Sequence, residues 1–138
     1  MLKYIKGMDI SSMDEIEKLG AKFYDKGTEK DLIEILKSYD TDYIRLRLWN
    51  DPKADDNTPY GAGNTDFDTT LRMAKRVKKA GLGFLLDFHY SDFWADPKKQ
   101  VKPKAWAYLT GQALEKAVYD YTLETLQTLK QHKMDCQH

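Results

Sequence analysis

Strand-patterned and helix-patterned segments alternate along this chain, and that alternation restricts its fold more than any other feature. Tyr4–Ile10 reads as a short strand. Ser12-Met13-Asp14-Glu15 has the Ser-x-x-Glu spacing of a capping box, and Met13, Ile16 and Leu19 continue at helical spacing. Thr28 is placed to cap a second helix, with Asp31 at its third position and Leu32, Ile35, Leu36 and Tyr39 as its apolar stripe. Tyr43–Trp49 alternates apolar and charged residues, the mark of a half-buried strand. From Asn50 to Thr65 the chain turns to Asp, Asn, Pro and Gly, which predicts a loop. Asp66 opens a helix bearing Phe67, Leu71, Ala74 and Val77, and Gly81 ends it. Leu82–Phe88 is nearly all apolar, as in a strand covered on both faces. A second long loop runs from His89 to about Leu109; Thr110 then caps a last helix carrying Leu114, Val118, Tyr121, Leu126 and Leu129.

The order β-α-β-α-β-α calls for a parallel sheet with right-handed crossovers. No Gly-x-Gly-x-x-Gly follows any strand, so a dinucleotide fold lacks its fingerprint. Polar and aromatic residues cluster just after each strand, at Asp9-Ile10-Ser11-Ser12, Trp49-Asn50-Asp51 and Asp87–Asp92. A (β/α)₈ TIM barrel places its chemistry at those carboxyl ends, but a complete one takes roughly 250 residues. The expected fold class is therefore α/β, the N-terminal three βα units of an incomplete barrel spanning residues 1–133.

Composition removes several alternatives. Lys and Arg number 22 against 22 Asp and Glu, and this zero balance argues against a nucleic-acid binder. No apolar run approaches the ~20 residues of a membrane span, so no membrane partner is expected. The first residues carry no apolar stretch long enough for a signal peptide, and as written the chain reads as cytoplasmic. Cys136 has no partner for a disulfide, and with His89, His132 and His138 it forms no zinc set, so neither metal nor cofactor is expected.

The densest chemical signal is Asp87-Phe88-His89-Tyr90-Ser91-Asp92-Phe93-Trp94-Ala95-Asp96-Pro97. Alternation puts Asp87 and His89 on one face, inward if Leu86 and Phe88 meet the helices. Four readings stand. Asp87 and His89 could share a cation, or Ser91 could be a nucleophile beside His89, without the glycine-flanked elbow. His89 and the aspartates could instead bond sugar hydroxyls while Trp94 offers a stacking face. The fourth is a buried histidine bonded to a backbone carbonyl beside a core tryptophan. Arg45 and Arg47 also share a face; pointing inward, they need carboxylate partners, and on an edge strand they would simply be solvated. Asp9 is either a first-turn cap or a site residue. Lys75-Arg76-Val77-Lys78-Lys79 reads as the wet face and last turn of a helix.

Four separated blocks carry a resemblance. Gly7–Ser12, Arg45–Pro52, Asp87–Pro97 and Gln100 with Pro103–Trp106, in that order, resemble glycoside hydrolase family 53, the arabinogalactan endo-β-1,4-galactanases. The likeness runs to about Lys133 and stops at a divergent tail, 134–138, the ending a frameshift or truncation would leave. It implies a (β/α)₈ barrel that cuts β-1,4-galactan or arabinogalactan with retention through two glutamates, as a monomer when full length and often secreted. It further implies Arg45, Arg47 and His89 as active-site support. Asp9, Trp49, Asp87, Tyr90, Asp92, Trp94 and Asp96 would form the substrate groove or its frame. The family's acid/base Glu follows an Asn after the fourth barrel strand and its nucleophile follows the seventh. This chain contains no Asn-Glu dipeptide. The expectation is a galactanase segment inactive alone, with a non-catalytic galactan-binding or inert barrel remnant as the alternative.

Overall fold

The structure, a computed structural model, describes residues 4–60 and 64–134. Three parallel strands form its centre, in the order β1 (Gly7–Asp9), β4 (Tyr43–Leu48), β5 (Gly83–Phe88). The connection from β1 to β4 holds helix α1 (Met13–Lys18), a hairpin of β2 (Phe23–Asp25) and β3 (Thr28–Lys30), and helix α2 (Leu32–Ser38). Helix α3 (Phe67–Lys79) links β4 to β5, and helix α4 (Gly111–Gln131) follows a long loop with one 3₁₀ turn at Lys104–Trp106.

Strand parity decides what faces what. In β4, Ile44, Leu46 and Leu48 are buried against the helices, while Arg45 and Arg47 take the opposite face. Phe84 and Leu86 of β5 join them in a core with Met13, Ile33, Met73, Ala74, Val77 and Leu129. The register pairs Tyr43 with Gly83, and the Tyr43 ring lies where a Cβ at position 83 would stand. Glycine is required there by close approach. Beyond α3, Gly81 takes φ +77° while Leu82 N–H reaches the Val77 carbonyl at 3.2 Å, a Schellman-type ending.

Several local expectations are corrected. Thr28 does not cap α2; it pairs in the hairpin, whose turn at Lys26 and Gly27 has φ +49° and +80°. The cap is Asp31, whose carboxylate accepts Ile33 N–H at 2.8 Å. Ile33 is the buried centre of that helix, and Tyr39 is exposed. Ser12 precedes α1 but makes no side-chain cap, because its hydroxyl accepts from Arg47 Nη2 at 3.2 Å. Thr110 likewise precedes α4 without a side-chain cap bond. Leu85 is exposed, so β5 is covered on one face among the described residues. Ile16, Leu19 and Leu126, expected on apolar stripes, are exposed as well, and Leu126 lines up with Tyr119 and Leu123 on α4. Lys75, Lys78 and Lys79 are solvated, whereas Arg76 is drawn into ion pairs with Glu17 and Asp31. Of the tail set apart at 134–138, Met134 is buried, while 135–138, with Cys136 and His138, lie outside the described residues.

Candidate active site at the strand ends

The carboxyl ends of β1, β4 and β5 bring Asp9, Arg45, Arg47, Asp87 and His89 together. Register aligns Asp9 with Arg45 and Arg47 with Asp87, so opposite charges sit on neighbouring strands. Arg45 Nη1 donates to Asp9 Oδ2 at 2.5 Å, and Nη2 donates to Asp87 Oδ2. Asp9 Oδ1 accepts from Ser11, through the backbone N–H at 2.9 Å and the hydroxyl at 2.5 Å. Ser11 Oγ in turn accepts the Arg47 N–H at 2.8 Å, closing β1 onto β4. Asp9 is thus both a turn-forming carboxylate and a member of the site.

Arg47 is buried, with its guanidinium 3.9 Å from the centre of the Trp94 ring and 5.6 Å from that of Trp49. Its Nε is buried without a hydrogen-bond partner among the described residues. Burial pushes this guanidinium down from its ordinary value, against the opposing pull of Asp9. At Asp9 burial acts to raise the pKa. The bonds from Ser11 and the charges of Arg47 and Arg45 outweigh it and hold the carboxyl below the usual range.

His89 stands at the junction with the aromatic cluster. Its Nδ1 lies 3.0 Å from Trp49 Nε1, and its Nε2 lies 2.9 Å from Asp87 Oδ2. Trp49 is fully buried, with Phe93 and the edge of Trp94 each 5.5 Å away between ring centres. Trp94 remains 40% exposed and Phe93 37%, and Tyr60 meets Phe93 edge-on, so an aromatic rim faces solvent beside the charged cluster. A cleft of about 570 Å³ opens there, lined by Arg45, Asp87, His89, Asp96, Gln100 and Lys102.

The other named residues frame this cleft. Asp92 is buried, and its two carboxylate oxygens accept backbone N–H from Asp51 at 2.9 Å and from Lys104 at 2.7 Å, stapling one loop to the other. Tyr90, at φ +47°, turns toward α4, where its hydroxyl meets Thr122 Oγ1 at 2.9 Å and its ring stacks on Phe88. Asp96 sits at the cleft mouth in a tight turn, its Oδ1 accepting from Lys98 and Lys99. Ser91 Oγ accepts from Phe93 N–H at 3.4 Å, while both ring nitrogens of His89 are engaged elsewhere. A serine–histidine pair is therefore not formed. Among the described residues no group of three His, Cys, Asp or Glu could hold a metal ion.

Ser11 stood only in the polar cluster after the first strand, without a role of its own, and Thr70 was passed over; its hydroxyl donates to the Arg47 carbonyl at 3.2 Å. The Asp-x-Ser spacing of 9 and 11, typical of an Asx turn, was the available signal for the first.

Chemically, the cleft offers guanidinium and carboxylate groups, the latter steadied by an imidazole, beside an exposed indole, a set that can bond hydroxyls and stack on a flat apolar ring face. The chain's glutamates, at 15, 17, 29, 34, 115 and 124, lie on α1, β3, α2 and α4, away from the strand ends.

Comparison with known proteins gives the family and the fold. The sequence model of glycosyl hydrolase family 53 matches residues 5–138. An uncharacterised protein of Niallia circulans is 50% identical over 94% of this chain and 33% of its own length. The endo-beta-1,4-galactanase of Bacillus subtilis is 41% identical over 96% of this chain and 31% of its own. The solved catalytic domain of an Ignisphaera aggregans member of the same family superposes with a TM-score of 0.91 at 47% identity, covering 95% of this chain and 37% of that one. The chain spans about a third of the length of the curated relatives it matches. Its α/β fold is accordingly an incomplete stretch of that family's TIM barrel.

Proposed function

The chain belongs to glycosyl hydrolase family 53, and from that premise we propose that its strand ends form one wall of the galactan cleft of an endo-β-1,4-galactanase acting with retention. One observation carries this reading: Arg45 bridges Asp9 and Asp87 while the neighbouring Arg47 packs on the ring of the exposed Trp94, giving a polar floor beside a stacking face. Asp87, Asp96 and Trp94 meet a galactose unit of galactan or arabinogalactan, with His89 holding Asp87 in place through Nε2. Arg45 and Arg47 keep the floor charged, and Trp49, Tyr90 and Asp92 hold the frame.

Retaining hydrolysis needs two carboxyl groups about 5–5.5 Å apart, one of them protonated to serve the leaving oxygen. Asp9 does not fill either role, since against burial Ser11 and the arginines hold its carboxyl below the usual range and occupy both its oxygens, and Asp87 shares its Oδ2 between Arg45 and His89. The 138-residue chain alone is therefore expected to bind galactan weakly and to hydrolyse none. Hydrolysis belongs to a chain in which strand-end glutamates join this wall. Two assays on the purified chain test the reading, release of reducing ends from galactan and tryptophan fluorescence during titration with galacto-oligosaccharide. The expected result is no turnover, with a fluorescence change that Trp94→Ala reduces. Turnover by the chain itself would overturn the assignment of roles, and a titration without any change would remove the galactan wall.

A further inference from the structure

We propose that Trp49 is a positioning residue that locks His89 as the neutral imidazole carrying its proton on Nε2. The bonding partners dictate this. An indole N–H can only donate, so the 3.0 Å contact from Trp49 Nε1 requires a bare, accepting Nδ1 on His89. The remaining nitrogen must then bear the proton, and it donates to Asp87 Oδ2 at 2.9 Å. The opposite tautomer would set two N–H groups against each other at Trp49 and two lone pairs against each other at Asp87.

The surroundings leave the imidazole no third choice of partner. Trp49 is fully buried, and its ring is pinned by Phe93 and Trp94. Asp87 is pinned from the other side by Arg45, which can only donate and which also holds Asp9. Donation thus runs from Trp49 through His89 to Asp87 and meets donation from Arg45 on the same oxygen, Oδ2. The other oxygen of Asp87, Oδ1, is left to accept a hydroxyl in the cleft. This last role rests on the galactan reading above; the tautomer does not.

Nitrogen-15 NMR of the imidazoles at pH 8 in the whole chain tests the proposal. His89 should show a pyridine-like Nδ1 and a pyrrole-like Nε2, with one tautomer favoured by about tenfold or more. In Trp49→Phe, which keeps an aromatic ring but removes the N–H, the His89 preference should weaken measurably, resting then on Asp87 alone, while His132 is unchanged. Should that variant fail to fold, His89→Ala supplies the reciprocal readout: the Trp49 indole N–H should shift and exchange faster with solvent. A proton on Nδ1 in the unaltered chain, an unchanged tautomer ratio in Trp49→Phe, or an unmoved indole signal in His89→Ala would each overturn the proposal. The expected tautomer in a chain that fails to bind galacto-oligosaccharide would remove only the galactan reading.

Discussion

Arg76 on α3 grips Glu17 on α1 with two bonds, Nη1 to Oε2 at 2.6 Å and Nη2 to Oε1 at 3.1 Å. Nη2 also reaches Asp31 Oδ2, at the start of α2, at 2.6 Å. One guanidinium therefore ties three helices across the outside of the sheet. Glu17 foremost, with Asp31, pushes the Arg76 pKa up against the effect of burial. The group is one-third exposed, so its worth is that of a good surface network. Arg76→Met should lower stability by about 1 kcal/mol, seen as a lower urea midpoint with an unchanged slope.

Asp31 combines two duties, since Oδ1 caps α2 through Ile33 N–H and Oδ2 pairs with Arg76. Asp31→Ala loses both and should cost about 1–2 kcal/mol. Asp31→Asn keeps a capping oxygen and should cost about half of that. Combined with Arg76→Met, the alanine variant should fall short of the sum of the single effects, because the pair shares one bond. Equilibrium urea curves of the four chains decide it.

Acid should unfold the chain through a small set of aspartates. At Asp9, Asp14 and Asp31 burial acts to raise the pKa. Hydrogen bonds and cations outweigh it, from Ser11 at Asp9, from Lys18 and Arg72 at Asp14, and from Arg76 at Asp31, so all three lie below the ordinary value. A carboxyl depressed in the folded state stabilises fully above its unfolded pKa, and that contribution fades as pH falls through the folded value. Stability from these groups should therefore hold above about pH 4 and decline steadily beneath it. Urea midpoints at pH 6, 4 and 3 measure this, and Asp9→Asn should flatten the decline.

At Gly83 a new methyl would enter the space of the Tyr43 ring. Gly83→Ala should cost about 1–3 kcal/mol as overpacking. Adding Tyr43→Leu, which withdraws the ring, should return part of the loss. Thermal melts of the two variants and the parent chain distinguish this from a general intolerance of change in β5, under which the second substitution would deepen the loss.

How much of this was legible beforehand follows strand parity. Ile44, Leu46 and Leu48 alternate with Arg45 and Arg47, and the alternation announced both the core face and the site face of β4. Past Phe88 the strand ends, and the positive φ of Tyr90 turns its ring toward α4, where the hydroxyl meets Thr122. Its neighbour His89 falls on the cleft side. Asp92 lies beyond the strand, where parity ends and backbone N–H groups claim its oxygens. The hairpin at 23–30 was illegible because each strand is three residues long and its turn offers a single glycine. At Ser12 the capping pattern was present, but a buried arginine took the hydroxyl. Local pattern yields to a stronger long-range donor there.

The sheet order has a directional meaning. β1 and β5 each have one neighbour among the described residues, yet the two edges are not equivalent. Beside β5, α4 already lies on the outer face, with Leu129 in the core and Tyr90 tethered to Thr122. The row Tyr119, Leu123 and Leu126 remains bare along it. A strand laid against β5 would meet an edge without a neighbour among the described residues, with α4 already anchored behind it through Leu129. Growth of the sheet at that margin is templated, as a zipper is by its last closed tooth.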